Sequence, residues 1–210
     1  MYQPVRKIDD EAALRQVMPE RFPGQEAKVI DHIDPLIEAW IERSPFLTIA
    51  SYNTVGQVDV SPKGDPAGFA KVLDTKTLAI PDRPGNHRYD TFRNILETGR
   101  VGLMFFVPNR REVVRVNGSA WIERDAALRA RMTVNGKVPD FAVIVRVAEA
   151  FYHCGKAIVR SGLWSPGNAA SIEGLPSYAE ALKAHSKDER SLAALEDMVV
   201  LNEEKRLYDE

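Results

Sequence analysis

Residues 101–122 read VGLMFFVPNRREVVRVNGSAWI, and this stretch decides the fold class. Val101 to Val107 is a nearly continuous apolar run of strand length, the pattern of a strand deep in a sheet. Glu112 to Ile122 reads as a further long strand. Inside it, Asn117-Gly118 is the dipeptide of a type I′ turn, although the β-branched residues on both sides fit a bulge equally well. Working outward, Phe46 to Tyr52 and Gln57 to Val60 flank Asn53-Thr54-Val55-Gly56, which reads as a hairpin turn. Lys71 to Leu73 and Thr77 to Ile80 flank Asp74-Thr75-Lys76, a second hairpin, and Phe141 to Val147 makes another strand. Short helices are expected over Thr91 to Glu97 and Ala126 to Met132, with a longer one from near Asp188. Six or seven strands with short turns and helices at the edges point to a mainly β chain, an antiparallel barrel with flanking helices rather than a wound βαβ sheet.

The whole chain, 1–210, reads as one domain, with N-terminal helices over about 1–44 and a C-terminal helical extension over about 177–210. Asp9 and Asp10 can cap a helix through Met18, which Pro19 and Pro23 end. Ala27, Ile30, Ile33, Leu36, Ile37, Trp40 and Ile41 recur at helical spacing, and Pro35 inside that pattern predicts a kink or two shorter helices. Ser165 to Pro176 reads as a flexible loop of functional length.

Composition narrows the classes. Hydrophobic residues make up 44% and charged ones 28%, an ordinary globular balance. Lys and Arg number 28 against 30 Asp and Glu, so no basic excess favours nucleic acid. One cysteine excludes an intrachain disulfide and, with four histidines, argues against cysteine-rich zinc sites. No apolar run reaches the length of a membrane span, and the N-terminus lacks a signal-peptide core, so a cytoplasmic protein is expected.

The densest polar signal is Pro81 to Asp90, PDRPGNHRYD, after a strand and before a helix. Arg83 and Arg88 offer planar donors to phosphate oxygens. Gly85 and Asn86 tolerate positive φ, which lets backbone amides converge on an anion, and the following helix adds its dipole. A solvated loop with Asp82 pairing to Arg83 is the bland alternative. In Ser61-Pro62-Lys63-Gly64-Asp65-Pro66, Lys63 supplies a point charge and Gly64 permits close backbone approach; a proline-flanked turn accounts for it equally. In FYHCGKAIVRSGLW (151–164), a helix from Lys156 to Leu163 puts Lys156 and Arg160 on one face, with Trp164 another turn on. Two cations beside an indole suit an anionic, planar ligand; a cationic outer face with Trp164 in the core is the alternative. Arg115 and Asn117 share one side of their strand. His153 and Cys154 are adjacent and point apart on a strand, so they form no dyad, and Cys154 reads as a buried small apolar residue. There is no Walker, dinucleotide, HExxH or GxSxG motif, and metal catalysis is not expected.

In this order, VDVSPKGDPAGF, TLAIPDRPGNHRYDTFRNIL, GRVGLMFFVP, EVVRVNGSAWI and FYHCGKAIVRSGLW resemble the FMN-binding split-barrel family of pyridoxamine 5′-phosphate oxidase-like proteins. The branch they resemble is the PPOX class of FMN-dependent enzymes, over roughly Pro45 to Trp164. The resemblance implies a six-stranded Greek-key split barrel that forms a homodimer, with FMN in the interface clefts. It assigns the FMN phosphate to Arg83, Asn86 and Arg88, with Lys63 nearby, and lines the isoalloxazine with Ser61 to Gly64. Arg115, Asn117, Lys156, Arg160 and Trp164 would complete the pocket, some of them from the second subunit. It also implies an FMN-dependent oxidoreductase acting on a small molecule. A non-catalytic flavin carrier, or a split barrel using haem or a deazaflavin, stands as the alternative. The C-terminal Arg-x-His element with which true pyridoxamine phosphate oxidases hold their substrate is missing, since no histidine follows His185. Oxidation of pyridoxamine 5′-phosphate is therefore not expected.

Overall fold

The computed structural model describes residues 2–20, 24–165, 167 and 171–209. Pro23, the loop positions Pro166 and 168–170, and Glu210 lie outside the described residues.

Seven strands form one antiparallel sheet: β1 (Phe46–Tyr52), β2 (Val58–Gly64), β3 (Lys71–Asp74), β4 (Thr77–Pro81), β5 (Arg100–Phe106), β6 (Val113–Glu123) and β7 (Ala142–His153). The split barrel expected from the resemblance is present, with seven strands instead of six. The order across the sheet is β2-β1-β5-β6-β7-β4-β3. Strands β2 and β3 are consecutive in the chain yet lie at opposite edges. A flat sheet of seven strands would separate those edges by about 29 Å, at about 4.8 Å per strand. The seven steps from Gly64 to Lys71 reach at most about 25 Å even when fully extended, and this connection carries a turn, Phe69 N–H to the Pro66 carbonyl at 3.1 Å. The sheet must therefore curl, and its seam falls between the edge strands β2 and β3.

Alternation along β1 and β5 sends Leu47, Ile49, Val101, Leu103 and Phe105 inward to a core shared with Leu78, Ile80, Val114, Val116 and Val145. Helix α2 (Pro35–Ile41) drives Ile37, Trp40 and Ile41 into the same core, each worth about 1.5–3 kcal/mol of burial. Asp34 caps α2 and Pro35 occupies its first turn, so the proline starts a helix and does not kink one. The expected helix before it is absent: Ile30 instead bridges to Ala150 of β7. A tertiary strand contact thus overrides helical periodicity. Ahead of it, α1 (Glu11–Val17) forms behind its Asp10 cap and buries no residue.

Helix α3 (Asp90–Thr98) lies against β1 and is pinned by Asn94 Nδ2 donating to Ser51 Oγ at 3.0 Å. A second, small core of Ala79, Met132, Ala142 and Ile144 lies on the other face of β4 and β7, with Leu128 of α4 (Ala126–Ala130) packed on it. Strand β4 is buried on both faces for this reason. Between β6 and β7 the register shifts at Asn117/Gly118, so this dipeptide is a bulge and not a turn. A Cβ at Gly118 would overlap the Arg146 carbonyl oxygen, which explains the glycine. Strand β7 runs on to His153 and takes up Phe151 and Tyr152. Helix α5 (Lys156–Ser161) stops at Gly162, whose left-handed φ of 64° ends it before Leu163. The C-terminal segment forms α6 (Tyr178–His185), closed by a Ser177/Glu180 capping box, and α7 (Leu192–Lys205), which starts four residues later than Asp188 because Ser191 caps it.

Candidate functional site

A cleft of about 390 Å³ opens at the seam, lined by β2 from Asp59 to Lys63, the loop from Asp82 to Tyr89, the start of α3, and Asp140-Phe141. That volume is in the range of small-molecule sites. A neighbouring hollow of about 250 Å³ shares Ser61, Lys63, Arg83 and Asn86, and adds Gly64 and Phe69. Ser61, Pro62, Lys63 and Gly64 lie inside edge strand β2, which runs four residues beyond the expected Val60. Pro62 lacks a ladder donor and is tolerated because β2 is an edge.

Alternation along β2 turns Asp59, Ser61 and Lys63 to one side. Lys63 Nζ stands 3.6 Å from Asp82 Oδ1 and 4.9 Å from the centre of the Phe92 ring. Phe92 meets Phe141 edge-on at 4.8 Å, giving the cleft an aromatic wall. Burial pushes the Asp82 carboxyl above the ordinary carboxylate range, and the Lys63 charge pulls against that shift. Asp82 thus pairs with Lys63 and not with the Arg83 guanidinium.

Arg83 is held elsewhere. Its Nε donates to Asp65 Oδ2 and its Nη2 to the Met132 carbonyl, both at 2.6 Å. Both partners were invisible as such in the sequence. They are supplied by the β2–β3 connection and by the segment after α4.

The loop's backbone twist comes from His87 and Tyr89, with φ of 55° and 56°, whereas Gly85 and Asn86, where it was expected, do not adopt positive φ. With Tyr89 left-handed at the N-cap, no side chain caps α3, so its first turn faces the cleft with its amides open. Arg88 stands at this mouth, 74% exposed, its Nε bonded to Asp90 Oδ2 at 2.7 Å. Asn86 Oδ1 accepts from the Arg88 amide at 3.1 Å, which leaves its Nδ2 to donate outward. The cleft also holds four carboxylates: Asp59 accepts from Thr91 Oγ1 at 2.6 Å, Asp90 is matched by Arg88 and Asp82 by Lys63, and Asp140 lies beside Asp82. With four carboxylates lining it, the cleft presents local donors and not a general positive field.

The remaining sequence-derived residues are not at this cleft. Arg115 and Asn117 lie on the outer face of β6, Arg115 over the Phe151 ring at 5.1 Å and Asn117 donating to Glu149 at 3.0 Å. Lys156 and Arg160 line a separate hollow with Arg111 and Glu112. Trp164 lies beyond the end of α5, so it does not continue the Lys156/Arg160 face as a helical turn would. Cys154 is exposed and not buried, because the chain has already left β7.

A family model described as pyridoxamine 5′-phosphate oxidase matches residues 33–154, from just before α2 to the end of β7. The chain belongs to the pyridoxamine 5′-phosphate oxidase family. The match takes in every strand and the whole cleft of this family member. Among solved structures, HupZ of Group A Streptococcus is similar at 21% identity, over 66% of this chain and 99% of that one, with a TM-score of 0.47. An FMN-binding protein of Syntrophomonas wolfei is similar at 12% identity, over 55% and 82% of the two chains, with a TM-score of 0.43. HutZ, the haem storage protein of Vibrio cholerae, is similar at 17% identity, over 58% and 93%, with a TM-score of 0.42. No curated protein matches the chain. Among the described residues no helix is long and apolar enough to cross a membrane.

Proposed function

We propose that the chain binds FMN at the seam cleft and acts, as a homodimer, as an FMN-dependent oxidoreductase on a small molecule. The observation that carries this reading is the uncapped first turn of α3 opening on the cleft with Arg88 at its mouth. A phosphate there meets backbone amides, the Arg88 guanidinium and Asn86 Nδ2, while Arg83 holds the loop from behind. Ser61 to Gly64 offer strand edge to a flat ring, Phe92 and Phe141 offer apolar surface, and Lys63 supplies a positive charge. The flavin, when bound, carries the redox chemistry. The residues named here bind it, orient it and keep one side of it dry. No protein acid or base is then obligatory.

The homodimer rests on the outer sheet face. Across β2, β1, β5, β6 and β7 the register aligns Pro62, Thr48, Met104, Arg115 and Phe151 in one row, and Val60, Ala50, Gly102, Asn117 and Glu149 in the next. Val60 is 62% and Trp121 41% exposed on this face, which also carries the charges of Arg100, Arg115, Arg146 and Glu149. A second copy on this face would cover it and bring Arg115, Asn117, Lys156, Arg160 and Trp164 toward a cleft that its own chain leaves half-built. The C-terminus is helical where true pyridoxamine phosphate oxidases carry their Arg-x-His strand, which supports a substrate other than pyridoxamine 5′-phosphate.

The visible spectrum of the purified protein, with mass analysis of the released chromophore, tests the cofactor. FMN is the expected chromophore. A haem reading has one observation in its favour, since His87 lines the same cleft with Nδ1 3.0 Å from the Tyr89 hydroxyl. A Soret band, or a deazaflavin mass, would replace the FMN assignment. Reduction of bound FMN by NAD(P)H and reoxidation by oxygen or a dye separates an enzyme from a carrier; a flavin that does not turn over makes this a carrier.

A further inference from the structure

The end of the chain returns to the site. Tyr208, beyond α7, donates its hydroxyl to Asp65 Oδ1 at 2.6 Å, across 143 residues of sequence. The other oxygen of that carboxylate takes Arg83 Nε, and the Arg83 guanidinium lies 5.5 Å from the centre of the Tyr208 ring. Next to it, Asp209 pairs with Lys137. Tyr208 and Asp209 together with Asp82, Arg83 and Pro84 wall a hollow of about 230 Å³ on the back of the loop that lines the flavin cleft. One carboxylate thus ties the β2–β3 connection, the 82–90 loop and the C-terminus together. The Asp65 side chain is only 1% exposed, so a hydrogen bond made to it is shielded from competing water. The hydroxyl accordingly titrates above the ordinary tyrosine range, with the bond to Asp65 as the leading cause.

We infer that the C-terminal tail is a strap and Tyr208 a positioning residue: by locking Asp65 against Arg83, it holds the 82–90 loop in the conformation that receives the ligand's phosphate. The phosphate part rests on the function proposed above; the strap itself does not. Tyr208 does not itself line the cleft, so it acts through Arg83, which does, and through the loop. The strap favours ligands whose anionic end lies on the loop, because a loop fixed in advance loses no freedom on binding.

The test uses the full chain with Tyr208→Ala and Tyr208→Phe, the latter keeping the ring over Arg83 and losing only the hydroxyl. Hydrogen exchange by mass spectrometry on the flavin-free protein reads the loop directly. Exchange over residues 82–90 is expected to quicken about tenfold in Tyr208→Ala, and less in Tyr208→Phe, with β5 and β6 unchanged. Unchanged exchange over 82–90, or an equal rise throughout the sheet, overturns the strap. Fluorescence titration then compares FMN with riboflavin. Tyr208→Ala is expected to weaken FMN about tenfold and riboflavin less than twofold. Equal weakening of both ligands overturns the link to the phosphate end. If the unsubstituted protein binds neither flavin, the proposed function fails while the exchange arm still decides the strap.

Discussion

Asp65 and Arg83, eighteen residues apart, form an ion pair nearly closed to water, with Nε 2.6 Å from Oδ2 and the two side chains 1% and 13% exposed. It joins the loop after β2 to the loop after β4 across the barrel's seam. Breaking one side of such a pair leaves a buried charge without compensation. Arg83→Ala is expected to cost about 3–5 kcal/mol in urea unfolding. Arg83→Lys should recover only part of it, because an ammonium cannot reach Asp65 and the Met132 carbonyl with the same planar fork. A loss no larger than that of a surface pair would show that water reaches the site.

Arg88 differs from Arg83 in standing exposed at the cleft mouth, paired only with Asp90 two residues on. Arg88→Ala should leave the urea midpoint unchanged and weaken FMN about tenfold, with little effect on riboflavin. An unchanged FMN titration would reduce Arg88 to a surface charge.

Asp82 sets a pH dependence whose sign is opposite to that of an ordinary paired carboxylate. Burial raises its folded-state pKa above the usual 3.8, so the fold prefers its neutral form. The penalty for ionising it is absent below the unfolded pKa. It grows as pH rises from about 3.8 toward the folded value, then stays constant. Stability of the native chain relative to Asp82→Asn should therefore fall across that window, as measured by thermal unfolding at stepped pH. A difference that is flat with pH, or that rises, would contradict the assignment. Lys63→Met should push the Asp82 titration, followed by NMR, higher still.

Gly118 sits where β6 bulges against β7. Gly118→Ala drives a methyl into the Arg146 carbonyl, a backbone atom that cannot swing aside, and is expected to cost about 3 kcal/mol. Gly85, which is not left-handed and whose added Cβ would meet nothing nearer than the Arg83 carbonyl oxygen at 3.9 Å, is the control for added bulk alone. A Gly118→Ala chain that unfolds at the native midpoint would mean that the bulge is not held in place.

Met104 lies at the centre of the outer sheet face, opposite Thr48 on one side and Arg115 on the other. Light scattering should give twice the chain mass for the native protein and one chain mass for Met104→Glu, with weaker FMN binding in the variant. A native monomer, or a Met104→Glu chain that still pairs, removes this face as the interface.

What the sequence by itself determined is local. Apolar runs and turn residues placed β1, β3, β4, β5 and β6, and the Asp10 cap placed α1, because an apolar run bounded by turn residues, or a cap, is written in a few consecutive residues. The PDRPGNHRYD stretch was legible as a loop between strand and helix for the same reason. The tertiary structure alone decided which charges in that loop are buried and which stand exposed. Arg83 and Arg88 look alike in sequence, yet one is buried against Asp65 and the other exposed, since only the curling of the sheet brings the β2–β3 connection to the β4 loop. Ile30 fits a helical stripe but pairs with Ala150, Asn117-Gly118 fits a turn but bulges, and Tyr208 carries no local signal at all. Each of these depends on a partner about thirty residues or more away in sequence, which no short-range pattern can specify until the barrel has closed.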